Sequence, residues 1–259
     1  MSIGRFFFRR PEPSGPRGQR AYAIGDVHGC LDLLDRLLER VEADIGDGPR
    51  RKTSIIFLGD LIDRGPSSAQ VVERLREYDP PGATAHFVMG NHEEVMLRVL
   101  AGEVELLTSW LRFGGDATLR SYGVDPNSVG RLPPEEVVQA LSAAIPAEHI
   151  EFLESFADSL SFGGYLFVHA GVRPGVDLSE QSRTDLRWIR EPFLDDQNDH
   201  GFVVVHGHTI TNRVEIKPNR IGIDTGAFCT GTLTALAIEG TKRWLIQTSE
   251  GDTQRVLLG

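Results

Sequence analysis

The chain is poor in cysteine and has no long apolar run. Its 259 residues include two cysteines, Cys30 and Cys229, which lie far apart in the sequence. Two cysteines exclude a disulfide framework and a cysteine-based zinc site. No stretch is apolar enough to span a bilayer, and the apolar core of the N-terminal segment is three phenylalanines, too short for a signal peptide. We therefore expect a cytoplasmic chain without a membrane partner.

Basic residues are outnumbered by acidic ones. The 27 lysines and arginines face 37 aspartates and glutamates, which gives a formal net charge of -10 and a pI near 5.3. A nucleic-acid-binding protein usually presents a basic face, so this balance argues against a nucleic-acid partner. It does not exclude a small anionic substrate, because a local metal cluster can outweigh the charge of the whole chain.

The order of apolar segments predicts an α/β architecture. Residues 1–18 are basic and rich in proline and glycine, and we expect them to form a mobile arm. Residues 19–259 contain no linker and are expected to form a single domain. From Ala21, three short apolar strands alternate with segments of helical periodicity, which is typical of an α/β sheet. About residues 94–160 are predicted to be mostly helical, and short β-rich runs follow to the C-terminus.

Five predicted strands are followed by the same kinds of residue. Each leads into glycine beside aspartate, asparagine or histidine, in the runs GDVHG (25–29), GDLIDRG (59–65), GNHE (90–93), HAG (169–171) and HGHT (206–209). Any one run alone is more often a turn or a helix cap, and Asn91 is a candidate N-cap. Ligands of open α/β sheets bind at the carboxyl ends of strands. Six side chains could therefore face one point: Asp26, His28, Asp60, Asn91, His169 and His208.

These six side chains predict a site for divalent metal ions. Oxygen and imidazole donors without thiolate suit manganese, iron, zinc and related metals. Six ligands are too many for one catalytic metal that keeps open positions, and they suit two metals about 3.5–4 Å apart that share a carboxylate. Two such ions against Asp26 and Asp60 leave positive charge, which attracts a phosphate.

Together, the five runs resemble those of the calcineurin-like metallophosphoesterases. The resemblance extends from Ala21 to the C-terminus. More narrowly, it is to the phosphoprotein-phosphatase branch, which includes bacterial and phage serine/threonine phosphatases and is related to symmetrical diadenosine tetraphosphate hydrolases. It implies an α/β fold, an α+β sandwich of two mixed β-sheets packed face to face and flanked by helices. The helical excursion would lie between the third and fourth runs.

The resemblance also implies a role for each ligand. Asp26 and His28 would bind the first metal, and Asp60 would bridge both. The second metal would be bound by Asn91, His169 and His208. His206 is the weaker candidate in HGHT, because the family's ligand follows the glycine. Manganese is the preferred metal for both ions, with iron, zinc, magnesium, nickel and cobalt as alternatives.

The expected reaction is in-line attack on phosphorus by a hydroxide that the two metals generate from water. His92 is the candidate general acid for the leaving group, and Asp63 would orient its imidazole. Arg64 would hold phosphate oxygens, together with Asn91. The resemblance predicts a second phosphate-binding arginine in DLRWIREPF (185–193), where we favour Arg190 over Arg187.

Three functions remain open at this point. The first is a phosphomonoesterase, namely a serine/threonine or dual-specificity protein phosphatase. The second is a symmetrical bis(5'-nucleosyl)-tetraphosphate hydrolase, and the third is a non-catalytic metal-binding scaffold. The third is disfavoured because every ligand and the acid are present. Asp63 with Arg64, and Glu93, favour the phosphatase, whereas WIREPF (188–193) is similar to the dinucleotide hydrolases.

The substrate is accordingly expected to be a phosphorylated protein or a small phosphoester. The segment between His92 and His169 is expected to overhang the metals and to select it. Within that segment, Gly114 and Gly115 could mark a turn near the site or a helix break, and we favour the break.

Overall fold

The computed structural model describes residues 12–249 and 252–258, in which the chain forms eleven strands and ten α-helices. The strands are β1 (Gln19–Ile24), β2 (Lys52–Phe57), β3 (Ala83–Phe87), β4 (Ser159–Phe162), β5 (Tyr165–Val168), β6 (Val203–His206), β7 (Glu215–Ile216), β8 (Arg220–Gly222), β9 (Leu233–Glu239), β10 (Lys242–Ser249) and β11 (Asp252–Leu258). The helices are α1 (Leu31–Asp47), α2 (Ser68–Arg76), α3 (Asn91–Leu100), α4 (Leu107–Trp110), α5 (Asp116–Ser121), α6 (Pro126–Val129), α7 (Pro134–Ala144), α8 (Ala147–Glu154), α9 (Arg183–Trp188) and α10 (Ala227–Thr230).

Two mixed sheets form the centre of the fold. The first has the strand order β11-β10-β9-β1-β2-β3, in which β1, β2 and β3 are parallel and the other pairs are antiparallel. The second has the order β4-β5-β6-β8-β7, in which β5, β6 and β8 are parallel. The predicted pair of mixed sheets flanked by helices is confirmed.

The side chains of β1 show how the sheets are layered. Ala21 and Ala23 pack with residues of β5, β6 and β8 in the apolar layer between the two sheets. Tyr22 and Ile24 point the other way, into the cluster shared with α1 and α2. Because side chains alternate across a strand, one strand serves two cores. The small alanines allow the sheets to approach, and the large residues fill the space under the helices.

The helices α3 to α8 lie between β3 and β4, where the helical excursion is expected. Of the expected arm over residues 1–18, residues 1–11 lie outside the described residues. The part that follows contacts the sheets, since the Gly15 N–H donates to the Gly240 carbonyl at 2.9 Å and the Tyr165 hydroxyl to the Pro13 carbonyl at 3.2 Å. The domain boundaries stay a prediction. Among the described residues, no helix combines the length and apolarity that crossing a membrane requires.

Candidate active site

The loops that follow β1, β2, β5 and β6 meet at one end of the two sheets. The His28 N–H donates to the Asp60 carbonyl at 2.9 Å, which joins the first two loops. His169 Nδ1 lies 2.7 Å from the Leu58 carbonyl and so ties the second sheet to the first. The topology therefore brings the polar strand ends together, as the carboxyl ends of parallel strands require.

Left-handed backbone is concentrated at these loops. In the described part of the chain, the non-glycine residues with positive φ are His28 (45°), Asp60 (51°), Asp63 (71°), Arg64 (69°) and His208 (63°). Each such residue costs on the order of 1 kcal/mol or more relative to ordinary backbone. All five were expected to be site residues from the sequence. No other described non-glycine residue has this strained backbone. Its restriction to these residues indicates a site built for function rather than for stability.

Two buried groups of side chains are placed to hold metal ions. His28, Asp60 and His92 form one, and Asp60, His169 and His208 form the other, each with its ligand atoms within 4.8 Å of one another. Asp60 belongs to both groups, as a bridging ligand would. The groups fit a dinuclear metal site.

Asn91 and Asp26 lie against these groups. Asn91 Oδ1 is 2.9 Å from His169 Nε2 and 2.8 Å from His208 Nδ1, so the amide oxygen is inside the second group. Asp26 is buried, but its carboxylate accepts the backbone N–H of His208 at 3.0 Å and joins neither group.

Two of the histidines turn a nitrogen acceptor toward the metal groups. His28 Nδ1 lies 2.7 Å from the Ile62 carbonyl and donates to it, which leaves Nε2 as the acceptor. The buried Nε2 of His208 has no hydrogen-bond partner among residues 12–249 and 252–258. Burial lowers the pKa of both imidazoles to about 3, with the charge of His169 adding to the effect at His208. Neutral, oriented imidazoles and an unpartnered nitrogen are what a divalent ion requires.

Buried carboxylates crowd the same place. Burial raises the pKa of Asp26 well above its usual range, and the charges of Asp224 and Asp60 add to it. Burial would also raise the pKa of Asp60, but His169 and His92 outweigh it and the net shift is downward. Asp224 Oδ2 is buried and, within the part of the chain that the structure describes, has no hydrogen-bond partner. This set of acids favours bound cations.

His92 is held by a carboxylate on the side away from the metal groups. Its Nδ1 lies 2.6 Å from Asp63 Oδ2, and that carboxylate also accepts hydrogen bonds from Trp110 Nε1 at 3.0 Å and Thr118 Oγ1 at 2.6 Å. Burial alone would lower the pKa of His92, but the charges of Asp60 and Asp63 raise it overall. Asp63 thus fixes the ring and favours its protonated form.

Three arginines differ in how they are paired. Arg64 reaches His28 Nε2 at 3.0 Å and His92 Nε2 at 3.1 Å, and its guanidinium lies 4.7 Å from the ring centre of Phe228. Arg187 is bound to Asp158 at 3.0 Å. Arg190 is exposed and, in the described part of the chain, neither it nor Arg64 forms an ion pair with a carboxylate.

A cavity of about 360 Å³ opens beside the two groups. The site residues on its wall are Arg64, Asn91, His92, Arg190 and His208. The rest of its lining comes from the helical excursion and α9, which supply both apolar side chains and Arg98. Polar chemistry on one wall and apolar surface on the other make this the natural place for a substrate.

Residues 20–230 match the family described as calcineurin-like phosphoesterase. The chain belongs to this family. A symmetrical bis(5'-nucleosyl)-tetraphosphatase of Janthinobacterium sp. (strain Marseille) is 27% identical over 87% of this chain and 94% of its own. The asymmetrical bis(5'-nucleosyl)-tetraphosphatase PrpE of Halalkalibacterium halodurans is 27% identical over 82% of this chain and 87% of its own. The crystal structure of a cold-active protein-tyrosine phosphatase of a Shewanella species is 19% identical, with a TM-score of 0.58 over 95% of this chain and 82% of that one, and shares the fold.

In this phosphoesterase, three residues behave differently from the sequence-based expectation. The N-cap of α3 is Gly90, and Asn91 is the first helical residue, so its side chain is free to face the histidines. Gly114 has a φ of 117° and its carbonyl accepts the Arg64 N–H at 3.0 Å, so the helix break is also a turn against the site. A Cβ at Gly114 would lie 2.6 Å from Arg64 Cγ, which explains the glycine.

Glu93 is the third of these residues. Its carboxylate is fully buried and accepts backbone N–H groups from Asp60 at 2.9 Å, Leu61 at 2.7 Å and Gly90 at 3.1 Å. It holds the loop after β2 and does not line the cavity. Glu93 is therefore a structural acid, and it gives no reason to prefer one substrate of the phosphoesterase over another.

Asp224 is a site residue that the motifs missed. It follows β8 in the sequence GIDTG, as an acid just after a strand end with a glycine two residues to either side. The charge of Asp224 raises the pKa of Asp26, so it stands close enough to be part of the same electrostatic unit. A search for acids that follow predicted strands, without the requirement of an adjacent glycine, would have found it.

Proposed function

We propose that this phosphoesterase hydrolyses bis(5'-nucleosyl) tetraphosphates. The observation that carries the proposal is the match, along nearly the whole length of both chains, to relatives named as tetraphosphatases. Of the two activities weighed from the sequence, this was the alternative. One of the two reasons to rank it lower is weakened, since Glu93 supports the backbone and does not touch the cavity, whereas Asp63 with Arg64 still stands.

The charges of the cavity support a polyphosphate substrate. Arg64 and Arg190 have no carboxylate partner in the described part of the chain, and both line the cavity with His92. Unpaired guanidinium groups recognise phosphate oxygens through two-pronged, charge-assisted hydrogen bonds. We assign the phosphate contacts to Arg64, Arg190 and Asn91.

The metal ligands are assigned from the strand-end motifs, of which His28, Asp60, His169 and His208 also belong to the two groups. Asp26 and His28 would hold the first ion, Asp60 would bridge, and the second ion would be held by Asn91, His169 and His208. Manganese is the proposed ion, since the donors are nitrogen and oxygen without thiolate. Bound divalent ions make water acidic enough to attack phosphorus near neutral pH. Metal analysis of protein purified without added metal tests the identity of the ions.

The protein groups supply the remaining steps. Arg64 and Arg190 bind and orient the phosphate that is attacked. Asp63 holds His92 so that its Nε2 faces the cavity, from which it donates a proton to the leaving oxygen. Burial of the site excludes bulk water and strengthens each of these interactions.

A second candidate is hydrolysis of phosphoproteins. It is favoured by the buried Asp63–His92 pair, because an imidazole with a raised pKa is most useful when the leaving group is a poor one, such as the alkoxide of serine or threonine. A phosphoanhydride has a better leaving group and needs this proton less.

Side-by-side kinetics distinguish the two candidates. The manganese-loaded protein is assayed with diadenosine tetraphosphate and with peptides that carry phosphoserine, phosphothreonine or phosphotyrosine. We expect kcat/KM to be at least tenfold higher for the dinucleotide, with ADP alone or ATP and AMP as products. A higher kcat/KM for any of the peptides would replace the first candidate with the second.

A further inference from the structure

The cavity beside His92 has one wall that phosphate binding leaves without a role. The apolar side chains on this wall belong to Val95, Leu106, Trp110, Phe113 and Trp188. Phe113 is 64% exposed and Trp188 is 38% exposed, and both are among the few large apolar side chains that the described residues leave open to solvent. Exposed aromatic residues that border a charged cavity indicate a binding surface.

Each exposed ring belongs to a segment that also contacts or contains one of the unpaired arginines. Phe113 precedes Gly114, whose carbonyl accepts the Arg64 N–H at 3.0 Å. Trp188 stands two residues before Arg190, and its indole N–H donates to Glu94 Oε2 at 3.0 Å, which leaves the ring face as its open surface. Phe113 and Trp188 therefore border the same cavity as Arg64 and Arg190.

We propose that Phe113 and Trp188 bind a nucleobase of the substrate by stacking, while Arg64 and Arg190 bind its phosphates. This deepens the proposed function and rests on it for the identity of the substrate. A nucleotide joins a flat aromatic base to an anionic chain, which is the combination of surfaces that the cavity presents. A phosphoserine or phosphothreonine side chain has no ring with which to fill the aromatic wall.

The proposal is tested by binding, with ligands that share the phosphates and differ in the base. ADP and inorganic pyrophosphate are titrated by calorimetry into the metal-loaded wild type and into Phe113→Ala, Trp188→Ala and Trp188→Phe. The control is Leu257→Ala, which removes another exposed apolar side chain, on β11 and outside the cavity. Phe113 is exposed, so its truncation leaves the core intact.

Loss of one stacked ring weakens base binding by about tenfold. We therefore expect the Kd of ADP to rise about tenfold in Phe113→Ala and in Trp188→Ala, with pyrophosphate within twofold of wild type. Trp188→Phe keeps a ring and should recover most of the ADP affinity, and Leu257→Ala should change neither ligand. Equal Kd values for ADP in wild type and both alanine variants would overturn the proposal.

The two proposals fail in different ways. If diadenosine tetraphosphate is not hydrolysed but ADP binding still depends on Phe113 and Trp188, the nucleotide site stands and the proposed function falls. If the dinucleotide is hydrolysed with a KM that neither alanine variant changes, the proposed function stands and the base site falls. If phosphotyrosine binds through the rings and ADP does not, the cavity is a phosphotyrosine site and the base site is overturned.

Discussion

His92 Nδ1 and Asp63 Oδ2 are 2.6 Å apart, and both side chains are buried. The imidazole therefore has its proton on Nδ1 directed at a carboxylate, and its other nitrogen faces the cavity. An acid held in this way is oriented before substrate arrives, which lowers the cost of organising the transition state.

Replacement of Asp63 tests this orientation. Burial lowers the pKa of His92 while Asp60 and Asp63 raise it, so Asp63→Asn should lower that pKa. Protonated His92 would then be lost at lower pH, and the alkaline limb of the kcat profile should move to lower pH. For an alkyl phosphoester we expect kcat to fall by about 100-fold. Measurement of kcat against pH checks this, with p-nitrophenyl phosphate, which needs less acid, as the control substrate. An unmoved alkaline limb would argue against the assignment.

Metal stoichiometry tests the shared position of Asp60. Asp60→Asn removes charge from both groups and should leave fewer than two tightly bound ions, whereas His208→Ala affects one group and should leave one. The readout is metal content after gel filtration. His86→Asn on β3, outside both groups, is the matched control and should keep both ions. Two tightly bound ions in Asp60→Asn would show that it does not bridge.

Glu93 is expected to affect stability rather than substrate choice. Glu93→Ala leaves several buried N–H groups without an acceptor, which should lower the free energy of unfolding by at least about 3 kcal/mol. Urea denaturation measures this, with the exposed Glu39→Ala on α1 as control. Glu93→Asp should keep the ratio of kcat/KM for diadenosine tetraphosphate and phosphopeptide. A tenfold change in that ratio would restore Glu93 as a specificity residue.

Arg190 and Arg187 form a matched pair for phosphate binding. Arg190 lines the cavity, whereas Arg187 is held by Asp158. Loss of a charge-assisted hydrogen bond to phosphate costs about 1.5–3 kcal/mol, so Arg190→Ala should raise KM about 10–100-fold. Arg187→Ala should leave KM within threefold and lower the thermal stability. The reverse pattern in steady-state kinetics would make Arg187 the phosphate ligand.

The sequence predicts the framework of the site because strand ends are local signals. Glycine beside aspartate, asparagine or histidine marks each loop, and parallel strands bring the loops together. This pattern alone assigned three side chains to the site without any knowledge of distances: Asp60, His169 and His208. The alternation of apolar segments predicted an α/β sheet, and the resemblance to the metallophosphoesterases predicted the pair of mixed sheets.

Other features depend on contacts that no local pattern encodes. The Gly114 carbonyl meets Arg64 across 50 residues of sequence, and Glu93 reaches backward to the loop after β2. The sequence left Asn91 as both a metal ligand and a candidate N-cap, and in the structure Gly90 caps α3, which frees the amide for the histidines. The sequence also could not show which arginine faces the cavity. That depends on the ion pair that holds Arg187 elsewhere.

The left-handed backbone at His28, Asp60, Asp63, Arg64 and His208 has a consequence for how this chain can change. Those conformations favour glycine, whereas the chemistry needs imidazole, carboxylate and guanidinium. Selection for thermal stability alone would draw these positions toward glycine and discard the activity. An engineering campaign that screens melting temperature should therefore hold these five codons fixed and seek its gains in the helices and sheet faces.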